Sequence, residues 1–232
     1  MSLCIQVENL SKAFGHHWVV KNLSLRIDEG EVVVFKGPSG IGKSTFLRCL
    51  TYLEPFQEGL VRVGPWELSA GMNPKKEREK IKNVREQLGF VFQFFNLFPH
   101  LSVLANLTLG PIQVLKQSRE QAEETARGLL RRVGLEHKAQ AHPEELSGGQ
   151  RQRVGIARAL AMKPRAILFD EPTASLDPEM KDEIVRVMED LARDKLTMLI
   201  VTHEAALIER IATRVIAFGP ECRIVSDQTS KC

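Results

Sequence analysis

Gly37-Pro38-Ser39-Gly40-Ile41-Gly42-Lys43-Ser44-Thr45 decides how the rest of the chain is read. An apolar β-branched run, Val32-Val33-Val34-Phe35, precedes it, and an apolar-periodic stretch, Thr45 to Leu50, follows. Strand, glycine loop and helix form the context in which G-x-x-x-x-G-K-[ST] becomes a mechanism. Gly37, Gly40 and Gly42 let the backbone bend until several N–H groups face one anion. The following helix adds the positive end of its dipole beneath the same phosphates. Lys43 is placed to reach the β- and γ-phosphates, and the Ser44 hydroxyl to complete a Mg²⁺ shell.

Composition sets bounds around this loop. The chain has 232 residues, 43% of them hydrophobic and 26% charged, the profile of a globular α/β domain with room for a subdomain. A net charge of +3 with dispersed basic residues does not argue for a nucleic-acid partner. Cys4, Cys49, Cys222 and Cys232 show no C-x-x-C spacing, which points to a reducing compartment without structural zinc. Met1 to Glu8 contain neither a basic nor an apolar leader region, so no secretory signal is expected. No apolar run approaches the ~18 residues that cross a bilayer, so any membrane part has to come from other subunits.

Along the chain, Ile5 to Leu10 and Leu23 to Ile27 alternate apolar and polar as half-buried strands do, with Lys12 to Trp18 read as a loop between them. Leu60 to Val63 forms another short strand, and connections this short require antiparallel pairing. Asn73 to Gln87 reads as a solvated helix of mixed charge, and Leu88 to Phe92 as a strand ending at Gln93. From Phe94 to Glu145 the pattern turns helical, with a capping box at Ser118 and Gln121 and a stop at Gly134. Ala166 to Phe169 and Met198 to Val201 are continuous apolar runs, as in parallel strands covered on both faces. The tail from Arg214 to Val225 offers two short strands around Gly219-Pro220.

Core strands lead to the glycine loop, to Gln93, to Asp170-Glu171 and to His203. Ligands of open parallel sheets bind beyond the carboxyl ends of the strands, so these sites should gather in one crevice. Adjacent carboxylates on extended backbone point apart. Asp170 is therefore expected to serve the metal, with Ser44 and Gln93, and Glu171 to act as general base on the attacking water. His203 is expected to donate to the γ-phosphate, and Asp177, before Pro178, to cap a helix. Ser147 caps a further helix through Met162, with Gly148 and Gly149 leaving its first amides bare. A second anion site of this kind implies one nucleotide shared between two subunits.

Taken together, Gly37–Thr45, Gln93, Leu146-Ser147-Gly148-Gly149-Gln150, the run ending Asp170-Glu171, Ser175-Leu176-Asp177 and His203 stand in the order of ABC-type ATPase subunits, and the chain resembles that family over nearly its whole length. The resemblance implies a P-loop NTPase (RecA-like) α/β core with a parallel sheet, an antiparallel β subdomain and an inserted α-helical subdomain. The core is expected in residues 1–93 and 154–232, and the helical unit in 94–153. The resemblance also implies ATP and Mg²⁺ as cofactors and a dimer, homodimeric as the first expectation, that closes on two ATP. Ser147, Gly148, Gly149 and Gln150 would then contact the partner's nucleotide. An aromatic residue should stack on adenine; Phe14 matches that position, with Trp18 second.

A narrower resemblance, to the ATPases of bacterial polar amino acid importers, rests on Phe90 to Leu101, Ala159 to Pro164 and Phe169 to Met180. It implies permease subunits as partners, a solute-binding protein further off, and a peripheral place on the cytoplasmic face of the bacterial inner membrane. An ATPase of lipoprotein release or peptide export shares the same motifs. A nucleic-acid-associated ABC ATPase is the reading from another class, disfavoured because such chains carry long insertions or two ATPase domains.

Overall fold

The computed structural model describes residues 3–229; Met1 and Cys232 lie outside them. Chain order runs β1 (Leu3–Phe14), β2 (His17–Asp28), β3 (Val32–Lys36), α1 (Lys43–Leu50), β4 (Glu58–Val63), β5 (Trp66–Ser69), α2 (Arg78–Gln87) and β6 (Leu88–Val91). The helical insertion follows with α3 (Val103–Gln113), α4 (Arg119–Arg132) and the start of α5 (Gly148–Ala161). The chain then returns through β7 (Ala166–Asp170), α6 (Pro178–Arg193), β8 (Thr197–Val201), α7 (Ala205–Ile211), β9 (Arg214–Phe218) and β10 (Ile224–Thr229).

Two sheets result. The antiparallel one has the order β2-β1-β4-β5, and the other the order β10-β9-β3-β8-β7-β6. In the second, β3 lies parallel between β8 and β9, and β7 lies parallel between β8 and β6. Side chains of β3 alternate between two cores. Val33 and Phe35 face α1 and the antiparallel sheet, where Phe46, Leu47 and Leu50 pack. Val32 and Val34 face α6 and α7, where Ile184, Met188 and Leu207 pack. Burial on both faces explains why the strand reads as a continuous β-branched run.

The third core is that of the helical insertion, built from Val103 and Leu107 of α3, Ala126 and Leu130 of α4, and Val154 and Ala157 of α5. α4 starts at the capping box of Ser118 and Gln121, and Gly134 follows it at φ +71°. α5 runs unbroken across positions 153 and 154, with Ile156 and Ala159 packed into the parallel-sheet core instead.

Several expectations need correcting. Lys12 to Trp18 is not a loop: β1 continues to Phe14 and β2 begins at His17, with Gly15 at φ +59° making the turn. Mixed polar and aromatic residues hid the alternation there. Residues 94–102 are not helical; they form a loop pinned by Asn106, whose amide accepts from Phe98 N at 2.8 Å and donates to the Leu101 and Ser102 carbonyls. α2 begins at Arg78 because Asn73 caps a turn of its own, accepting from Lys75 N at 3.0 Å. The edge strand β5 had no signal in the sequence beyond the Gly64-Pro65 turn.

Phe35, Phe46 and Phe218 form one aromatic cluster beneath the glycine loop, with ring centroids 5.2–5.8 Å apart. All three are buried. Phe46→Ala should therefore cost about 3–5 kcal/mol in urea denaturation; a loss under about 1 kcal/mol would show that α1 does not depend on this cluster.

Candidate active site

The glycine loop bends over a floor made by residues 218–222. A Cβ on Gly37 (φ +150°) would lie 2.4 Å from the Phe218 carbonyl oxygen, and one on Gly42 (φ +108°) 2.4 Å from Val19 Cγ1. Glycine is therefore required twice over at these positions, by backbone conformation and by space. Cys222, buried and at φ +52°, donates its thiol to the Ile41 carbonyl at 3.2 Å. Burial pushes that thiol up to about 12, while nearby Lys43 acts in the opposite direction.

Lys43 is 5% exposed, and its ammonium donates to the carbonyls of Gly37 (2.7 Å) and Pro38 (2.8 Å). Of the three ammonium protons, one is left to aim at an anion. Burial lowers the Lys43 pKa, and Glu171, Cys222 and Asp170 pull it back up. Ser44 Oγ donates to Asp170 Oδ1 at 2.5 Å, and Arg48 approaches the other oxygen of Asp170 at 3.6 Å.

Glu171 stands at φ +50°, a left-handed conformation that costs a side-chain-bearing residue about 1–3 kcal/mol. Its N–H donates to the Val201 carbonyl at 2.9 Å, which ties the end of β7 to the end of β8. Burial raises the Glu171 pKa; His203 and Lys43 oppose that rise. The imidazole of His203 reaches Glu171 Oε1 at 3.4 Å.

A cleft of about 800 Å³ collects most of these groups, with Asp170 buried behind Ser44 and outside its lining. Phe14, Lys43, Ser44, Gln93, Glu171 and His203 all line it, as do Ser39, Gly40, Gly42 and Thr45. Gly37, Pro38 and Ile41 shape the loop from behind. Phe14 is 50% exposed at its edge, whereas Trp18 is not among the lining residues and sits one pleat away, opposite Ala13. Sequence reasoning missed Thr173, Lys181 and Thr202, which also line the cleft. Lys181 pairs with Glu204, another lining residue, at 2.9 Å. Thr202 was legible in principle as the residue between β8 and His203.

Ser147 to Gln150 stand apart from this cleft. Ser147 is exposed and caps α5, its Oγ accepting from Gln150 N at 3.2 Å while the Gln150 side chain accepts from Ser147 N at 3.0 Å. The amides are less bare than expected, because Gly149 N donates to Met180 Sδ at 3.3 Å. Asp177 has the backbone of an N-cap before Pro178, but its side chain makes no capping bond and stays exposed.

The donors fit a hard divalent cation. A serine hydroxyl, a carboxylate and an amide oxygen are oxygen ligands, and no cluster of three or more His, Cys, Asp or Glu occurs among the described residues. Magnesium suits so sparse a set, since it keeps waters and takes most other oxygens from phosphates.

Comparison with known proteins agrees with this chemistry. The family model described as ABC transporter matches residues 20–174. The glutamine transport ATP-binding protein GlnQ of Bacillus subtilis (strain 168) is 50% identical over 96% of this chain and 89% of its own length. The arginine transport ATP-binding protein ArtM of the same organism is 50% identical over 98% and 92%. Among solved structures, the dimeric post-hydrolysis state of the ATP-binding cassette MJ0796 bound to ADP and Pi aligns at a TM-score of 0.83 and 35% identity, covering 97% of this chain and 98% of that one.

The packing of the loop on its floor has a direct consequence. Gly37→Ala should destabilise the protein by about 1–3 kcal/mol even in the absence of nucleotide, since the Phe218 carbonyl has to move. Thermal or urea denaturation checks this, and an unchanged midpoint would mean that the loop does not rest on residues 218–222.

Proposed function

The chain belongs to the ABC transporter family, and we propose that it is the ATP-hydrolysing subunit of a transporter that imports a polar amino acid. The observation that carries the ATPase reading is the convergence on one cleft of the buried Lys43 ammonium, the Ser44 hydroxyl with buried Asp170 bonded behind it, and the Glu171–His203 pair. The transported class is supported by relatives whose names specify glutamine and arginine transport. These relatives favour import over lipoprotein release, peptide export or a nucleic-acid role.

The residues divide the work by position. Backbone amides of the glycine loop, the end of α1 and Lys43 hold the β- and γ-phosphates. Ser44, Asp170 and Gln93 would hold Mg²⁺, which when bound neutralises phosphate charge. Glu171 takes a proton from the water that attacks the γ-phosphorus; the new P–O bond forms as the bond to the bridging β–γ oxygen breaks, leaving ADP and phosphate. The raised pKa of Glu171 makes it a stronger base than an exposed carboxylate. His203, whose Nε2 stands beside that carboxylate, donates to the γ-phosphate.

Because Ser147 stands exposed and outside its own chain's cleft, its helix end suits the nucleotide of a second copy. A dimer is supported by the dimeric cassette of the same fold. Among the described residues no helix is long and apolar enough to cross a membrane. The relatives' names as transport ATP-binding proteins support a separate permease as partner, with this subunit peripheral on the cytoplasmic face. An apolar groove of about 580 Å³, lined by Phe90, Phe98, Leu109 and Met162, suits a short permease helix. Phe98 is 42% exposed at its rim, and a solute-binding protein would act on the permease from the other side.

Glu171→Gln should retain ATP affinity and lose turnover by about 10²–10⁴-fold, accumulating as an ATP-dependent dimer. In the native protein the acid limb of kcat should lie above the ordinary carboxyl value of 4.5, since activity is lost as pH falls through a pKa raised by burial. Near-normal phosphate release by the variant would rule out the base role.

A further inference from the structure

Beside the phosphate machinery lies a buried lysine that the hydrolytic reading does not use. Lys12 is 6% exposed, and its ammonium sits 4.4 Å from the centroid of the Phe14 ring. Lys12 and Phe14 are two positions apart on β1, and although the pairing with β2 is irregular at Lys12, the contact itself places the two side chains together. The ammonium also donates to the Pro55 carbonyl at 2.8 Å and pairs with Glu54 Oε2 at 3.3 Å. Those residues belong to the segment that leaves α1, the helix whose other end holds Lys43 and Ser44. Gln57, from the same segment, clamps the neighbouring backbone, accepting from Ala13 N at 2.9 Å while its own N–H donates to the Ser11 carbonyl at 3.0 Å.

We propose that Lys12 is a positioning residue for the nucleotide base, acting from beneath the Phe14 ring. This rests on the reading of Phe14 as the surface on which adenine stacks. One face of the ring is held against the ammonium, and the exposed remainder of the side chain lines the cleft. A free phenylalanine at a hairpin end would sample several rotamers, and the base would have to order it on binding. The cation removes that cost and does something electronic as well. Aromatic faces carry negative potential, which disfavours direct face-to-face stacking. A cation on the inner face draws π density toward itself, so the outer face repels a purine less. Glu54 and Pro55 fix the ammonium, and through them the base platform is joined to the far end of the phosphate-binding helix.

A merely structural lysine would hold the segment after α1 and affect every ligand of the cleft alike. The test therefore compares ATP with inorganic tripolyphosphate, which has the phosphates and no base. Calorimetry is done on the full chain with Lys12→Met, Lys12→Arg, Phe14→Ala and the double variant Lys12→Met/Phe14→Ala. Lys12→Met should weaken ATP roughly three- to thirty-fold, the range of a cation–π contact from exposed to desolvated, and leave tripolyphosphate unchanged. Lys12→Arg should restore most of the affinity, and in the Phe14→Ala background loss of the lysine should add nothing. Equal weakening of both ligands, or a loss that persists without Phe14, overturns the proposal. If Phe14→Ala weakens ATP but Lys12→Met does not, the lysine assignment alone fails. If Phe14→Ala leaves ATP binding unchanged, the base platform itself is refuted and the proposal with it. Should Lys12→Met unfold, Glu54→Gln provides the same comparison: it should weaken ATP and not tripolyphosphate, and the reverse or an equal loss counts against the role.

Discussion

A lysine ammonium held by two carbonyls of its own loop is the interaction on which the site depends. Lys43 is pinned by Gly37 and Pro38, so the loop is curled around the charge before any phosphate has to be considered. That curl requires positive φ at Gly37, Gly40 and Gly42, and it requires backbone to lie against backbone. The floor that meets it, Phe218 to Cys222, comes from the end of the chain's parallel-sheet run, and the aromatic trio of Phe35, Phe46 and Phe218 fixes that floor to β3 and α1. Preorganisation of this kind matters for phosphoryl transfer, where the protein contributes mainly position and charge.

Charge balance in the cleft follows from the same geometry. Asp170 and Glu171 are neighbours in sequence, yet one is occupied by Ser44 and Arg48 and the other by His203. The left-handed backbone at Glu171 turns the two carboxylates apart, and the bond from its N–H to Val201 holds that turn. Burial raises the Glu171 pKa and the Asp170 charge adds to that rise, while Asp170 stays committed to the Ser44 hydroxyl. Two acidic residues with different partners can then serve different oxygens of one substrate.

Much of this was legible in the sequence because the polar groups of the cleft sit at or just after the ends of strands whose apolar runs are unmistakable. Val32–Phe35, Ala166–Phe169 and Met198–Val201 have to be buried on both faces, so the loop, Asp170-Glu171 and His203 had to share one edge of the sheet. What stayed hidden depends on contacts between distant segments. The floor under Gly37 involves Phe218, and the lysine under Phe14 is held by Glu54 and Pro55. Neither contact leaves a local pattern. The hairpin end at Phe14 was concealed for a different reason, since Lys12 to Trp18 mixes charge and aromatics at a site where one side chain serves the cleft and another supports it. At α5, the glycines signalled an exposed helix end, but not that Met180 would occupy one of its amides.

In the proposed dimer each nucleotide is held by one copy's loop and completed by the other copy's Ser147. Ser147→Arg tests it most directly, because the residue is exposed, lies outside its own chain's cleft and caps α5 by a contact whose loss is local. ATP affinity of the isolated chain and steady-state turnover as a function of protein concentration are measured together. A shared site gives unchanged affinity, with turnover lost and its dependence on protein concentration abolished. Normal turnover, or a loss of affinity as large as that of a Lys43→Ala chain, would contradict it.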